Sequence, residues 1–233
     1  MRCLLCNEPM NIDHDWHTFL FFKKEEPCCE NCQNQLKRIT GEQCKICSRP
    51  LANLDSTYME GDLCLDCIRW EQDPEYKEVL HKNISLYEYN DFMKEVIARF
   101  KYRGDYVLAR CFSEQIRKSL NSHTYDKIIP IPLSEKRLLE RGFNQATALA
   151  TEASLTITNA LSRKHSEKQS KKSRTERIHL PQVFQLIPDQ HVTNQTILLI
   201  DDIYTTGSTI RHAAKILKTA GASNIHSFTL ARG

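Results

Sequence analysis

The chain has 233 residues, 26% of them charged and 40% hydrophobic, with a formal net charge of +3. These proportions are ordinary for a globular protein and exclude wholesale disorder. No run approaches the ~18 apolar residues of a membrane span, and Met1-Arg2-Cys3-Leu4-Leu5-Cys6 lacks the apolar stretch of a signal peptide. A cytoplasmic protein without membrane insertion is therefore expected.

Nine of the ten cysteines fall within the first 67 residues. At roughly 150 residues per domain the length suits one or two domains, and the cysteine asymmetry favours two. The expected division is a cysteine-rich head, residues 1–72, and a body, residues 84–233. Eight early cysteines form four C-x-x-C pairs: Cys3/Cys6, Cys29/Cys32, Cys44/Cys47 and Cys64/Cys67. Two thiolates on one tight turn grip a tetrahedral ion, and two such turns complete a four-cysteine site. Four turns predict two zinc ions, structural because four cysteines leave no open position for water. Disulfides belong to secreted chains, and redox chemistry needs one such pair beside a βαβ pattern. Two consecutive zinc ribbons fit the spacing; a cross-braced pairing, first with third and second with fourth, has equal chemistry. Cys29 is preferred to Cys28 as ligand because it keeps the spacing to Cys32, which leaves Cys28 spare. Eight thiolates and two zinc ions move the net charge from +3 to about −1, so the pI near 8.3 is no argument for nucleic acid.

Pro74 to Asn83 reads as a polar linker and Ile84 to Tyr89 as a short strand. Asp91 is placed as the cap of a helix bearing Phe92, Met93, Val96, Ile97 and Phe100, which Gly104 ends. A second helix carries Val107, Leu108, Cys111, Phe112, Ile116 and Leu120 on one face, making Cys111 plain core. Lys127 to Pro132 is a strand closed by prolines. Ser134 to Ala153 is helical with a break near Gly142. Ile197 to Ile200 is a buried strand, Ser208 to Ala220 a helix and Ile225 to Leu230 a last strand. This alternation predicts an α/β fold with a mainly parallel sheet flanked by helices.

The most informative stretch is Ile197-Leu198-Leu199-Ile200-Asp201-Asp202-Ile203-Tyr204-Thr205-Thr206-Gly207-Ser208-Thr209. Helix-terminal N–H groups, the hydroxyls of Thr205, Thr206, Ser208 and Thr209, and Gly207 make a phosphate cradle. It lacks a P-loop lysine, which weakens a nucleoside-triphosphate reading. Two acids before the cradle suit a ligand that presents hydroxyls there and phosphate further on, as ribose 5-phosphate does. The plain alternative is a pair of solvated acids followed by a helix cap.

This segment resembles the phosphoribosyl-pyrophosphate (PRPP) loop of type I phosphoribosyltransferases. With Phe100-Lys101-Tyr102-Arg103-Gly104-Asp105, Pro130-Ile131-Pro132-Leu133, Arg141-Gly142-Phe143-Asn144-Gln145 and the four amino-terminal C-x-x-C pairs, the chain is identified as a member of the ComF family, the ComFC-like late competence proteins. The resemblance implies a phosphoribosyltransferase-like fold after a double zinc ribbon. It implies that Asp201 and Asp202 hold the ribose hydroxyls and that Thr205, Thr206, Gly207, Ser208 and Thr209 hold the 5-phosphate. Pyrophosphate would lie beside the loop after Pro130-Ile131-Pro132, near Lys136, Arg137 and Arg141, with Lys101, Arg103 and Asn144 also contributing. Asp201, Asp202 and Arg141 are the candidate catalytic residues, with magnesium carried by PRPP. Lys136 and Arg137, taken alone, read as surface charges. The Ile131–Pro132 bond is a candidate for a cis peptide.

Residues 163–177 hold seven cations against two acids, a local charge of +5. In phosphoribosyltransferases a mobile loop near this place closes over PRPP, and Gln169, Arg174 and Arg177 line up with the family pattern. Ile178-His179-Leu180 departs from it. Lys168, Lys171, Lys172 and Arg174 alternatively supply phosphate contacts to single-stranded DNA, or form a solvated basic loop. The family implies handling of imported single-stranded DNA beside a competence helicase or uptake-channel protein. Two functions follow: an enzyme transferring phosphoribose to an unknown acceptor, or a non-catalytic PRPP sensor that binds nucleic acid or protein.

Overall fold

A computed structural model describes residues 1–10, 26–52, 54–163 and 183–233. A short helix α1 (Glu30–Gln35) follows the second C-x-x-C turn. A two-stranded hairpin, β1 (Met59–Glu60) and β2 (Leu63–Cys64), leads into α2 (Leu65–Gln72), so the fourth C-x-x-C pair straddles a strand end and a helix start. The stretch expected as a linker is packed instead: Tyr76, Val79 and Leu80 are buried. Their apolar side chains outweigh the polar residues around them.

β3 (Lys82–Glu88) opens the main sheet, and α3 (Asp91–Tyr102) follows. Its cap is Asn90 rather than Asp91, because the Asn90 side chain accepts from the Met93 amide at 2.9 Å. Gly104 ends the helix region at φ 70°. Tyr106–Phe112 is a 3-10 stretch, and α4 covers only Ser113–Leu120. A 3-10 stretch turns every three residues instead of 3.6, which rotates the expected apolar stripe. Val107 is consequently exposed, and Cys111 packs partly buried against the core beside Cys28, their Cα atoms 6.0 Å apart.

β4 (Lys127–Pro130) runs into α5 (Glu135–Arg141) and α6 (Gln145–Glu152), separated at Gly142 with φ 79°. The Ile131–Pro132 peptide is trans, as are the others among the described residues. β5 (Leu161–Arg163) and β6 (Phe184–Leu186) form a small antiparallel pair. β7 (Thr196–Tyr204), α7 (Ser208–Thr219) and β8 (Asn224–Arg232) complete the body. β7 outruns its apolar segment, so Asp201 and Asp202 lie within the strand, paired along β8 at Thr229 and beyond.

The main sheet has four parallel strands in the order β3-β8-β7-β4. Ile197 to Ile200 are fully buried, which is why this run is uniformly apolar rather than alternating. Two core clusters flank it. One joins Leu198, Ile200, Phe228 and Leu230 to α3, α4, α6 and the cysteines Cys3 and Cys32. The other joins Ile197, Leu199 and Ile225 to α7, Trp70, Tyr76 and Cys44, Cys47, Cys64 and Cys67. Between the two cysteine groups the chain passes along the β3 edge, where Ile39 donates to Leu86 and Glu88 to the Lys37 carbonyl, both near 2.9 Å. That cover protects an otherwise open strand edge. Among the described residues, no helix is long and apolar enough to cross a membrane.

Candidate functional site

The carboxyl end of β7 places two acids in unlike surroundings. Asp202 is buried, and Lys101, from the last turn of α3, approaches its Oδ2 at 2.5 Å. Asp201 is half-buried and accepts from the Asp202 amide at 2.9 Å through Oδ1. Desolvation together with the Asp202 charge pushes the Asp201 carboxyl up to about 8.

The turn that follows has a steric cause. Gly207 is buried at φ 80°, and a Cβ there would fall on the Tyr204 phenol. Only glycine meets both demands, and α7 starts directly after it. The Ser208 amide reaches Thr206 Oγ1 at 3.4 Å, while Thr205 and Thr209 are exposed at the mouth. The turn therefore presents hydroxyls and a 12-residue helix amino terminus to the space beyond Asp201.

Cations gather on the opposite side. Arg163, on β5, is held below the ordinary arginine range by burial and by Arg137, with Asp201 opposing and Arg141 adding to the shift. These four charged groups thus share one locale. Arg163 lies over the Phe184 ring at 5.5 Å, and Arg141 lies 5.8 Å over Tyr102, whose ring is 74% exposed. Arg141 also donates to Gln145 Oε1 at 2.9 Å. Asn144 makes backbone contacts: Nδ2 donates to the Ile131 carbonyl at 2.9 Å, and Oδ1 accepts from Ala146 and Thr147 at the start of α6. It fixes the loop after Pro130 rather than facing outward. Arg103 is exposed at the end of α3, and Lys136 is exposed beside Glu140 at 3.9 Å.

In the sequence Arg163 is only the first cation of the basic segment; its adjacency to a short apolar stretch, Ala160-Leu161, is the local signal that sets it apart. Lys168, Gln169, Lys171, Lys172, Arg174 and Arg177 lie outside the described residues. The second missed group is the donor set behind the turn. Trp70 Nε1 donates to the Thr206 carbonyl at 2.8 Å, and Arg232 Nη1 donates to Tyr204 and Thr205 carbonyls at 3.1 and 2.8 Å.

The eight cysteines come together as Cys3/Cys6/Cys29/Cys32 and Cys44/Cys47/Cys64/Cys67, each group's sulfurs within 4.8 Å of one another. This is the consecutive pairing, not the cross-braced one, and Cys29 rather than Cys28 joins the first group. A tetrahedral thiolate site with ~2.3 Å metal–sulfur bonds spaces its sulfurs about 3.8 Å apart. Cys6 and Cys29 stand 3.7 Å apart and Cys47 and Cys64 3.5 Å, so the residues present fit an ion. Backbone amides at Cys29 and Cys64 donate to Cys3 and Cys44 sulfurs at 3.3 and 3.4 Å, as metal-bound thiolates require. The Cys44 thiol is pushed down by hydrogen bonds from Cys47, Cys64 and Cys67, which favours its thiolate.

The parallel sheet, the acids at the end of β7 and the hydroxyl-rich turn define an α/β phosphoribosyltransferase-like protein, and residues 138–233 match the phosphoribosyl transferase domain family. The chain is 38% identical to competence protein ComFC of Bacillus subtilis over 99% of its own length and 94% of that protein's. It is 32% identical to competence protein ComFC of Streptococcus pneumoniae over the full length of both. A more distant relative is DNA utilization protein YhgH of Escherichia coli O157:H7, 26% identical over 81% of this chain and 89% of that one. The chain belongs to the ComFC family of competence proteins.

Proposed function

We propose that the chain binds PRPP at the end of β7 and takes part in handling single-stranded DNA during natural transformation. The observation that carries the pocket is the cluster of charges around Arg163, which Arg137, Arg141 and Asp201 all reach, beside the Gly207 turn that follows Asp201 at the end of β7. On this reading Asp201 and Asp202 accept from the ribose hydroxyls, Thr205 to Thr209 hold the 5-phosphate, and the arginines face pyrophosphate. Lys101 releases Asp202 when the ribose enters. Magnesium, carried with PRPP, neutralises phosphate charge when bound; the chain's own groups orient the sugar and exclude water. Residues 1–72 hold two structural zinc ions, the ion that all-cysteine tetrahedral sites favour, and residues 84–233 hold the PRPP site. The relatives' names, competence protein and DNA utilization protein, support the DNA role, with a helicase or uptake-channel protein as partner and the basic segment around Lys168 to Arg174 on phosphates.

The enzymatic form of this reading transfers phosphoribose to an acceptor that displaces pyrophosphate; the sensing form binds PRPP without turnover. Calorimetry with Mg-PRPP tests both. Wild type binds, and the Asp201→Ala, Asp202→Ala double variant loses at least about tenfold in affinity, having lost two hydrogen-bonding carboxyl groups. Pyrophosphate release that depends on an added acceptor selects the enzyme. An unchanged affinity in the double variant removes the pocket reading.

A further inference from the structure

The backbone entering the phosphate turn is held from behind by the second cysteine group. Trp70, three positions after Cys67 on α2, donates to the carbonyl of Thr206. Arg232, at the end of β8, donates through Nη1 to Tyr204 and Thr205 and through Nη2 to Cys47 Sγ at 3.4 Å. Three successive carbonyls, residues 204 to 206, are thus tied to side chains that the cysteine centre positions. Arg232 is only 3% exposed and lies 5.0 Å over the Tyr204 ring. A buried guanidinium needs an anion. The sulfur it touches belongs to a set of four thiolates, whose charge exceeds that of one divalent ion. Arg211 repeats the theme: fully buried, 5.4 Å over Trp70 and 2.8 Å from Glu71, it pins α2 against α7, the helix the turn begins. The first cysteine group serves another element, since Arg99 of α3 donates to the carbonyls of Leu4 and Leu5.

We propose that the second cysteine centre braces the phosphate turn through Trp70 and Arg232, two positioning residues, so that metal occupancy and phosphate-ester affinity are coupled. The ligand in this statement rests on the PRPP reading; the brace itself does not. Because coupling free energy is reciprocal, PRPP must tighten the metal at this centre by the factor by which the metal tightens PRPP.

Two variants separate the brace from folding. Trp70→Phe keeps an aromatic ring and deletes the indole N–H; Arg232→Lys keeps the charge and deletes the fork. In the full chain with wild-type metal content, hydrogen–deuterium exchange at residues 203–210 should quicken at least about fivefold in each, the cost of a freed carbonyl. Exchange in the middle of β7 should stay unchanged. In equilibrium competition with a metal chelator, Mg-PRPP should strengthen retention of one of two ions in wild type and not in Trp70→Phe. Wild-type exchange at 203–210 in Trp70→Phe overturns the brace, whether or not Arg232→Lys folds. Binding of PRPP that leaves both ions' retention unchanged overturns the coupling. Faster turn exchange in a protein whose wild type ignores PRPP keeps the brace and removes the ligand reading.

Discussion

Lys101 closes off Asp202 at 2.5 Å, whereas Asp201 shares its surroundings with Arg163 and has its carboxyl pushed up to about 8 by burial and by its neighbour. A carboxyl whose folded pKa lies above its ordinary value of 3.8 binds a proton that the unfolded chain has released. Its stabilising effect is complete below that ordinary value and is lost as pH rises through the folded value. Asp201→Asn removes this loss. Scanning calorimetry should show the variant melting above wild type at about pH 9 and level with it near pH 4, while its PRPP affinity falls. A variant no more stable than wild type at the higher pH contradicts the assignment. At this scale the sequence was informative about the acids and the turn, because their chemistry is local. It was silent about Arg163 and about the backbone duties of Asn144, because those depend on which distant segments meet.

The turn between β7 and α7 is a junction where conformational and steric demands coincide on Gly207. Gly207→Ala should cost about 2–3 kcal/mol in denaturant unfolding, from the positive φ and the clash with Tyr204. On a Tyr204→Ala background, where the phenol is gone, adding Gly207→Ala should cost only the conformational part; a Gly207→Ala protein of wild-type stability would refute this packing. β7 runs past its apolar segment, since Asp201 and Asp202 interrupt the run and apolar runs reveal only the covered part of a strand. The 3-10 stretch at Tyr106–Phe112 escaped for a related reason: a helical stripe looks much the same at periods of 3.0 and 3.6 over seven residues. Helices with strong local signals, α3 and α7, stood out at once. So did the paired breaks at Gly104 and Gly142, where positive φ is required.

Over the whole molecule, the cysteines that suggested a separate head attach to opposite faces of one sheet. The first group packs with α3 and the second with α7, and the chain joining them seals the β3 edge. Spacing could count the ligands but left consecutive and cross-braced pairings equally open, and contacts decide for the consecutive one. Where each centre docks is a matter of contacts more than a hundred residues apart, such as Trp70 with Thr206 and Arg232 with Cys47, and no local pattern announces them. The same architecture makes the acids at the end of β7 the meeting point of both halves of the core. If this point is a PRPP site, crystals grown with Mg-PRPP will show it occupied. The 5-phosphate should lie against Thr205 to Thr209, the ribose hydroxyls on Asp201 and Asp202, and pyrophosphate beside Arg137, Arg141 and Arg163. PRPP bound elsewhere on the chain, with Lys101 still paired to Asp202 and the turn empty, would contradict it.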